Sequence, residues 1–256
     1  MRLEVRCLIC PSPRTLDLLL EEDTPFMGRN ATGCGNLIIL GSARAGKTSI
    51  AWWLLDFVIQ NTNRHVALIG MSDLVLKQLP KSWIGRVSNP SLEDVLDVPR
   101  GAVILMDDSA VLLNNRSSAK KAQVAWNRLY GIFSHLSQTL IFTTQNLNTI
   151  DIGVYRSTHL NILVRYCERF PLINDPNQFS GRILEIQDIL KENSKIPFSR
   201  DLYYSMFDDI LCKAYYPDWV NRHIEGNEKR GMILSKPYGF LDKEELYNRI
   251  FGENKK

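Results

Sequence analysis

Eight consecutive residues, Gly41-Ser42-Ala43-Arg44-Ala45-Gly46-Lys47-Thr48, match the spacing G-x-x-x-x-G-K-[ST] at every fixed position. Glycines at both ends let a backbone curl so that successive N–H groups converge on an anion. Lys47 is placed to reach the β- and γ-phosphates of a nucleotide, and Thr48 offers a hydroxyl to Mg²⁺. A helix that follows directly presents its positive dipole end to the same anion. The residues expected to hold ATP are therefore Gly41, Ser42, Ala43, Arg44, Ala45, Gly46, Lys47, Thr48 and Ser49.

Two further stretches carry polar groups at the end of apolar runs. Val103-Ile104-Leu105-Met106 delivers Asp107 and Asp108 to a strand's C-terminal end, where ligands bind in open α/β sheets. Asp107 is expected to help hold Mg²⁺, the role of the acid in a Walker B strand, and Asp108 to polarise an attacking water. Two adjacent carboxylates also suit a turn. Ile141-Phe142-Thr143-Thr144-Gln145-Asn146 ends in hydroxyls and amides. Gln145 is a candidate for sensing the γ-phosphate or its water; the alternative is that Gln145 and Asn146 begin a turn.

These groups need elements to position them. Asn36–Leu40 and Ala102–Met106 read as short apolar strands of the kind buried in parallel sheets, and His65–Gly70, Thr139–Thr143 and Leu160–Tyr166 as further strands. Helices are expected over Thr15–Glu22, Thr48–Gln60 and Ala119–Leu136, the last on a stripe of Ala119, Ala122, Trp126, Leu129, Tyr130, Phe133 and Leu136. Strands alternating with helices imply βαβ units and a three-layer α/β sandwich. The chain divides into an irregular segment over 1–36, a core over 37–168 and a mostly helical or irregular extension over 169–256, where Leu202–Tyr215 is the best helical stretch.

Composition excludes several classes. With 256 residues, 45% apolar and 23% charged, the chain can bury a core without staples and is not a disordered chain. The most apolar helical stretch, Ile50–Ile59, is shorter than the roughly 18–20 residues that span a bilayer and carries Asp56, so no transmembrane segment is expected. No signal peptide is visible, and five scattered cysteines suit free thiols in a reducing compartment. Cys7 and Cys10 form a lone CxxC with no second ligand pair to complete a zinc site.

Taken together, a P-loop containing Arg44, an apolar strand ending in two acids, a helical insert and a strand ending Thr-Thr-Gln-Asn resemble the FtsK/HerA superfamily of P-loop motor ATPases, most closely the genome-packaging ATPases of membrane-containing viruses. The resemblance covers about 37–168. One departure is Asp108, where many members carry glutamate.

The resemblance implies a mainly parallel sheet with an additional strand between the two Walker strands. It also implies Mg²⁺-dependent ATP hydrolysis and a homo-oligomeric ring, usually a hexamer, that moves double-stranded DNA. A capsid or membrane-vertex protein is a further implied partner, with a location in the host cytoplasm or on the virion. Segment 109–150 holds Arg116, Lys120, Lys121 and Arg128 with no acid, against +3 for the whole chain. These four are the candidate contacts to DNA phosphates; the alternative is a solvated helix face. Arg128, Arg156 and Arg165 are candidates for an arginine that completes a neighbouring subunit's site, with Arg156 preferred because it lies just beyond the sensor strand. A P-loop nucleotide kinase and a filamentous-phage-type assembly ATPase are the competing readings.

Overall fold

Five of the apolar runs become strands of one sheet. The computed structural model describes residues 11–20, 34–92, 94–107, 135–147, 150, 154, 159–166, 179–194, 201–220, 234, 244–245 and 248–249. Its strands are β1 (Gly35–Leu40), β2 (Val66–Leu68), β3 (Val87–Ser88), β4 (Val103–Met106), β5 (Thr139–Thr144), β6 (Leu160–Val164), β7 (Leu202–Ser205) and β8 (Ile210–Lys213). They lie in the order β3-β2-β4-β5-β1-β6-β7-β8. The first six in that order are parallel, and β7 and β8 add an antiparallel hairpin at one edge. Strand β5 pairs with β1 through Leu37↔Ile141 and with β4 through Leu105↔Ile141. One strand therefore separates the strand before the P-loop from the strand before Asp107, as the resemblance implies.

Alternate residues of each strand enter two separate cores, which makes the sheet the middle layer of a sandwich. Leu37 and Ile39 of β1, Val103 and Leu105 of β4, and Ile141 of β5 face helix α2 (Lys47–Asn61). Ile38 and Leu40, Ile104 and Met106, and Leu140 and Phe142 face the opposite side, where Ile183, Ile186 and Leu190 of α4 (Ser180–Asn193) cover them. Both faces are thus buried, and that is why these strands turn apolar residues to both sides rather than alternating apolar with polar. Helix α2 buries ten of its fifteen residues, including Trp52 and Trp53, so it reads as apolar nearly all round. It stops at Thr62, whose hydroxyl donates to Val58 O at 2.8 Å. Helix α1 (Pro13–Leu19) takes proline in its first turn, where the missing N–H costs nothing. Helix α3 (Asp73–Leu76) is a single turn capped by the Ser72 hydroxyl.

Two polar groups inside the fold are satisfied by design of the chain. Arg64, 3% exposed, donates to Gly101 O, Leu18 O, Leu19 O, Ala102 O and Thr139 Oγ1, tying α1 to the N-terminal edge of the sheet. Asp56 sits mid-helix in α2 and accepts indole N–H bonds from Trp219 at 3.0 Å and Trp83 at 3.3 Å, and an amide N–H from Gln60 at 2.6 Å. Burial pushes its carboxyl above the ordinary range, and the two indole donors pull it part of the way back.

The expected helix over Leu202–Tyr215 is instead the β7–β8 hairpin, joined through residues 206–209 with Asp209 at φ 58°. Tyr203 and Tyr204 are both buried, one in each core. That alternation is available only to a strand, and β6 offers it an edge through Val164↔Tyr204. Of the expected helix over 119–136, only residues 135 and 136 are described, and they form a turn. Cys212 is buried and free, its thiol pushed up to about 11 by burial; Cys34 is free and half-buried, while Cys7, Cys10 and Cys167 lie outside the described residues. No helix among the described residues is long and apolar enough to cross a membrane.

Candidate active site

The P-loop leaves the C-terminal end of β1 and runs straight into α2. Arg44 at φ 65° and Gly46 at φ 85° both take the left-handed conformation, alternating with their neighbours. Such alternation turns successive N–H groups to one side and makes an anion nest. Gly46 is also the residue before the first turn of α2, so the nest opens onto a helix N-terminus. Lys47 is buried, and its Nζ donates to Ser42 O at 2.9 Å, spanning the mouth of the loop. Arg44 is exposed.

Asp107 lies at the end of β4, two strands away from β1, and is 2% exposed. Thr48 Oγ1 approaches its two carboxylate oxygens at 3.2 and 3.1 Å. Thr143, on the intervening β5, donates to Asp107 Oδ1 at 2.6 Å. One carboxylate is thus held by hydroxyls from two elements, helix α2 and strand β5. The donor set fits a magnesium ion: a hydroxyl and a carboxylate are hard oxygen ligands, and Mg²⁺ takes few protein ligands beside water and phosphate. The sequence pattern does not single out Thr143. The signal that would have found it is register, since Met106↔Phe142 puts Thr143 level with Asp107.

Gln145 is exposed at the C-terminal end of β5, between the P-loop and Asp107 in the strand order. The Gly41 N–H donates to Thr144 O at 3.2 Å, which seats the start of the loop against the residue before it. The Thr144 hydroxyl accepts from Asn146 N at 3.1 Å and donates to Asn146 O at 2.9 Å, closing a tight turn with Gln145 at its tip. The segment is therefore a turn, with Gln145 exposed at the sheet edge that carries the loop.

Arg165 is turned inward, onto its own loop. It is 2% exposed, its Nε donates to Ala45 O at 2.8 Å, and its Nη1 donates to Leu202 O. A guanidinium buried against its own P-loop cannot reach a neighbouring subunit. Asp108, Arg116, Lys120, Lys121, Arg128 and Arg156 lie outside the described residues.

No protein-family model matches the chain, and no curated protein matches it. Among solved structures, it is similar to the DNA-packaging ATPase B204 of Sulfolobus turreted icosahedral virus: 14% identity, TM-score 0.44, covering 72% of this chain and 98% of that one. The B204 genome-packaging NTPase of Sulfolobus turreted icosahedral virus 2, solved with ATP-gammaS, gives 13% identity and a TM-score of 0.43 over 72% and 97% of the two chains. ATPases 2 and 3 of EssC from Geobacillus thermodenitrificans give 15% identity and a TM-score of 0.46, covering 79% of this chain and 44% of that one.

Proposed function

We propose that this chain is an ATP-hydrolysing motor that moves double-stranded DNA, of the kind that packages a viral genome. The observation that carries the ATPase part is the convergence of the P-loop hydroxyl Thr48 and the strand-end carboxylate Asp107, 59 residues apart in the chain, at 3.1–3.2 Å. A nest, a lysine and a carboxylate meet there at the C-terminal edge of the sheet.

In this reading the loop N–H groups and the α2 N-terminus bind the polyphosphate, and Lys47 leaves Ser42 O to meet the β- and γ-phosphates. Thr48 and Asp107 would hold a Mg²⁺ ion, which supplies charge neutralisation at the phosphate oxygens when bound. Thr143 fixes the rotamer of Asp107. Gln145 orients the attacking water or senses the γ-phosphate, and Asp108 takes the water's proton. Arg116, Lys120, Lys121 and Arg128 contact DNA phosphates rather than base edges, because a motor must pass any sequence. Arg156 of a neighbouring copy, in a ring of six, completes the γ-phosphate side of the site.

The test is ATP hydrolysis by the full chain with and without duplex DNA, beside Lys47→Ala. The wild-type chain should hydrolyse ATP, faster with duplex present, and Lys47→Ala should lose about 10²-fold or more, as when one fixed electrostatic contact to a transition state is removed. Equal rates in the two proteins would sink the ATPase reading. Hydrolysis that ignores DNA would remove the motor and leave the kinase and assembly readings.

A further inference from the structure

We infer that Arg165 is a positioning residue of the phosphate site, acting in cis through the P-loop backbone; this rests on the reading above that the loop binds a nucleoside triphosphate. Its placement follows from the sheet. Strand β6 runs parallel to β1 with Leu40↔Val164 as the last pair, and the Arg165 N–H then donates to Leu40 O at 2.8 Å. The first residue past β6 is therefore level with the first residue of the loop, and its side chain has nowhere to go but underneath it.

The loop is shaped around that side chain. A Cβ built on Gly41 would lie 2.8 Å from Arg165 Cβ, and one built on Gly46 would lie 3.2 Å from Arg165 Nη2. The two fixed glycines of the loop thus face one arginine, the first against its stem and the second against its guanidinium. A nest that turns its N–H groups toward an anion must turn carbonyls away from it. The outward carbonyl of Ala45 needs a donor, because a buried acceptor left unmade costs free energy. Arg165 Nε is that donor, at 2.8 Å. The same guanidinium donates through Nη1 to Leu202 O at the start of β7, and Gln187 of α4 donates to Arg165 O at 3.0 Å. The loop curvature is therefore locked to β7 through one planar fork, and the Arg165 backbone is fixed separately to α4 through its carbonyl, with a positive charge held directly behind the helix N-terminus.

Two physical consequences separate. The fork holds the loop in its anion-ready shape before ligand arrives, which strengthens ground state and transition state alike. The charge attracts polyphosphate and is weakly screened because it is buried. Arg165→Met removes both while keeping an apolar stem of similar length. Arg165→Lys keeps the charge but cannot span two carbonyls held by separate arms of the fork.

The experiment uses the full chain, Mg·ATP as the ligand, steady-state hydrolysis, and a thermal melt of each variant. Arg165→Met should raise KM for ATP roughly ten-fold or more, the size of one charge-assisted hydrogen bond, with kcat changed far less. Arg165→Lys should give an intermediate KM. A role in fold stability alone would lower the melting midpoint and leave KM of the folded protein at the wild-type value in both variants, and that result overturns the inference. If Arg165→Met does not fold, Arg165→Lys carries the test: wild-type KM in a folded Arg165→Lys overturns it, and a raised KM with kcat retained supports it. A wild-type chain that neither binds nor hydrolyses Mg·ATP removes the nucleotide reading itself and this inference with it, whereas an active wild type with unmoved variants removes only the role of Arg165.

Discussion

Replacing Thr143 with valine deletes one hydroxyl and keeps the β-branched shape that strand β5 packs around. The hydroxyl lost is the donor at 2.6 Å from Asp107 Oδ1, and both residues are essentially buried, at 1% and 2% exposure. A hydrogen bond to a charged acceptor contributes about 1.5–3 kcal/mol, and a buried carboxylate that loses a donor bears the upper part of that range. Thr48 remains at 3.1–3.2 Å, so Asp107 is weakened rather than stranded. For a chain of this length each kcal/mol moves the melting midpoint by roughly 2–4 °C, so Thr143→Val should melt about 3–12 °C lower. Circular dichroism on heating and a urea titration with unchanged slope would measure it. Thr143→Ser restores the donor and should recover at least half of the loss, although it gives up a buried methyl. The same variants should differ in the Mg²⁺ concentration that half-saturates ATP hydrolysis, higher for Thr143→Val because its Asp107 rotamer is no longer fixed. An unchanged midpoint in Thr143→Val, or a Thr143→Ser protein as weak as Thr143→Val, would show that the hydroxyl does not hold the carboxylate.

Two further outcomes follow from packing and burial. Gly41→Ala places a Cβ 2.8 Å from Arg165 Cβ, closer than side chains tolerate, and tightly, at 3.2 Å, against Ala45 Cβ, and should destabilise by about 1–3 kcal/mol in the same melt; a wild-type midpoint would mean that Arg165 moves aside freely. Asp56→Asn removes a buried charge while its carbonyl still accepts from Trp83 and Trp219. Because burial raises the Asp56 carboxyl, the native state binds its proton more tightly than the unfolded chain, and stability from this group is lost as pH rises from the ordinary 3.8 through the raised value. Asp56→Asn should therefore melt higher than wild type near neutral pH, with the advantage shrinking in mild acid; an advantage that does not depend on pH would contradict that cause.

What the sequence determined by itself is what neighbouring residues decide among themselves. The apolar run over Leu37–Leu40, the glycines at 41 and 46, and the unbroken helix-forming stretch after Thr48 specify strand, nest and helix through backbone dihedrals and local burial, and the P-loop is legible in eight letters. The strands ending at Met106 and Thr144 are legible for the same reason: a short apolar run between turn residues has few other uses. The tertiary structure alone decided which of these ends meet. Thr143 reaches Asp107 only because β5 enters between β1 and β4, and no local pattern states a strand order. Arg165 lies 120 residues from Ala45, so its sequence neighbourhood cannot distinguish an arginine that supports its own loop from one that reaches another subunit. Residues 202–213 form a hairpin rather than a helix because β6 presents an open edge and two cores accept Tyr203 and Tyr204 on opposite faces. Backbone preference is settled over a few residues, whereas hydrogen-bond partners and burial are settled by whatever the folded chain brings alongside.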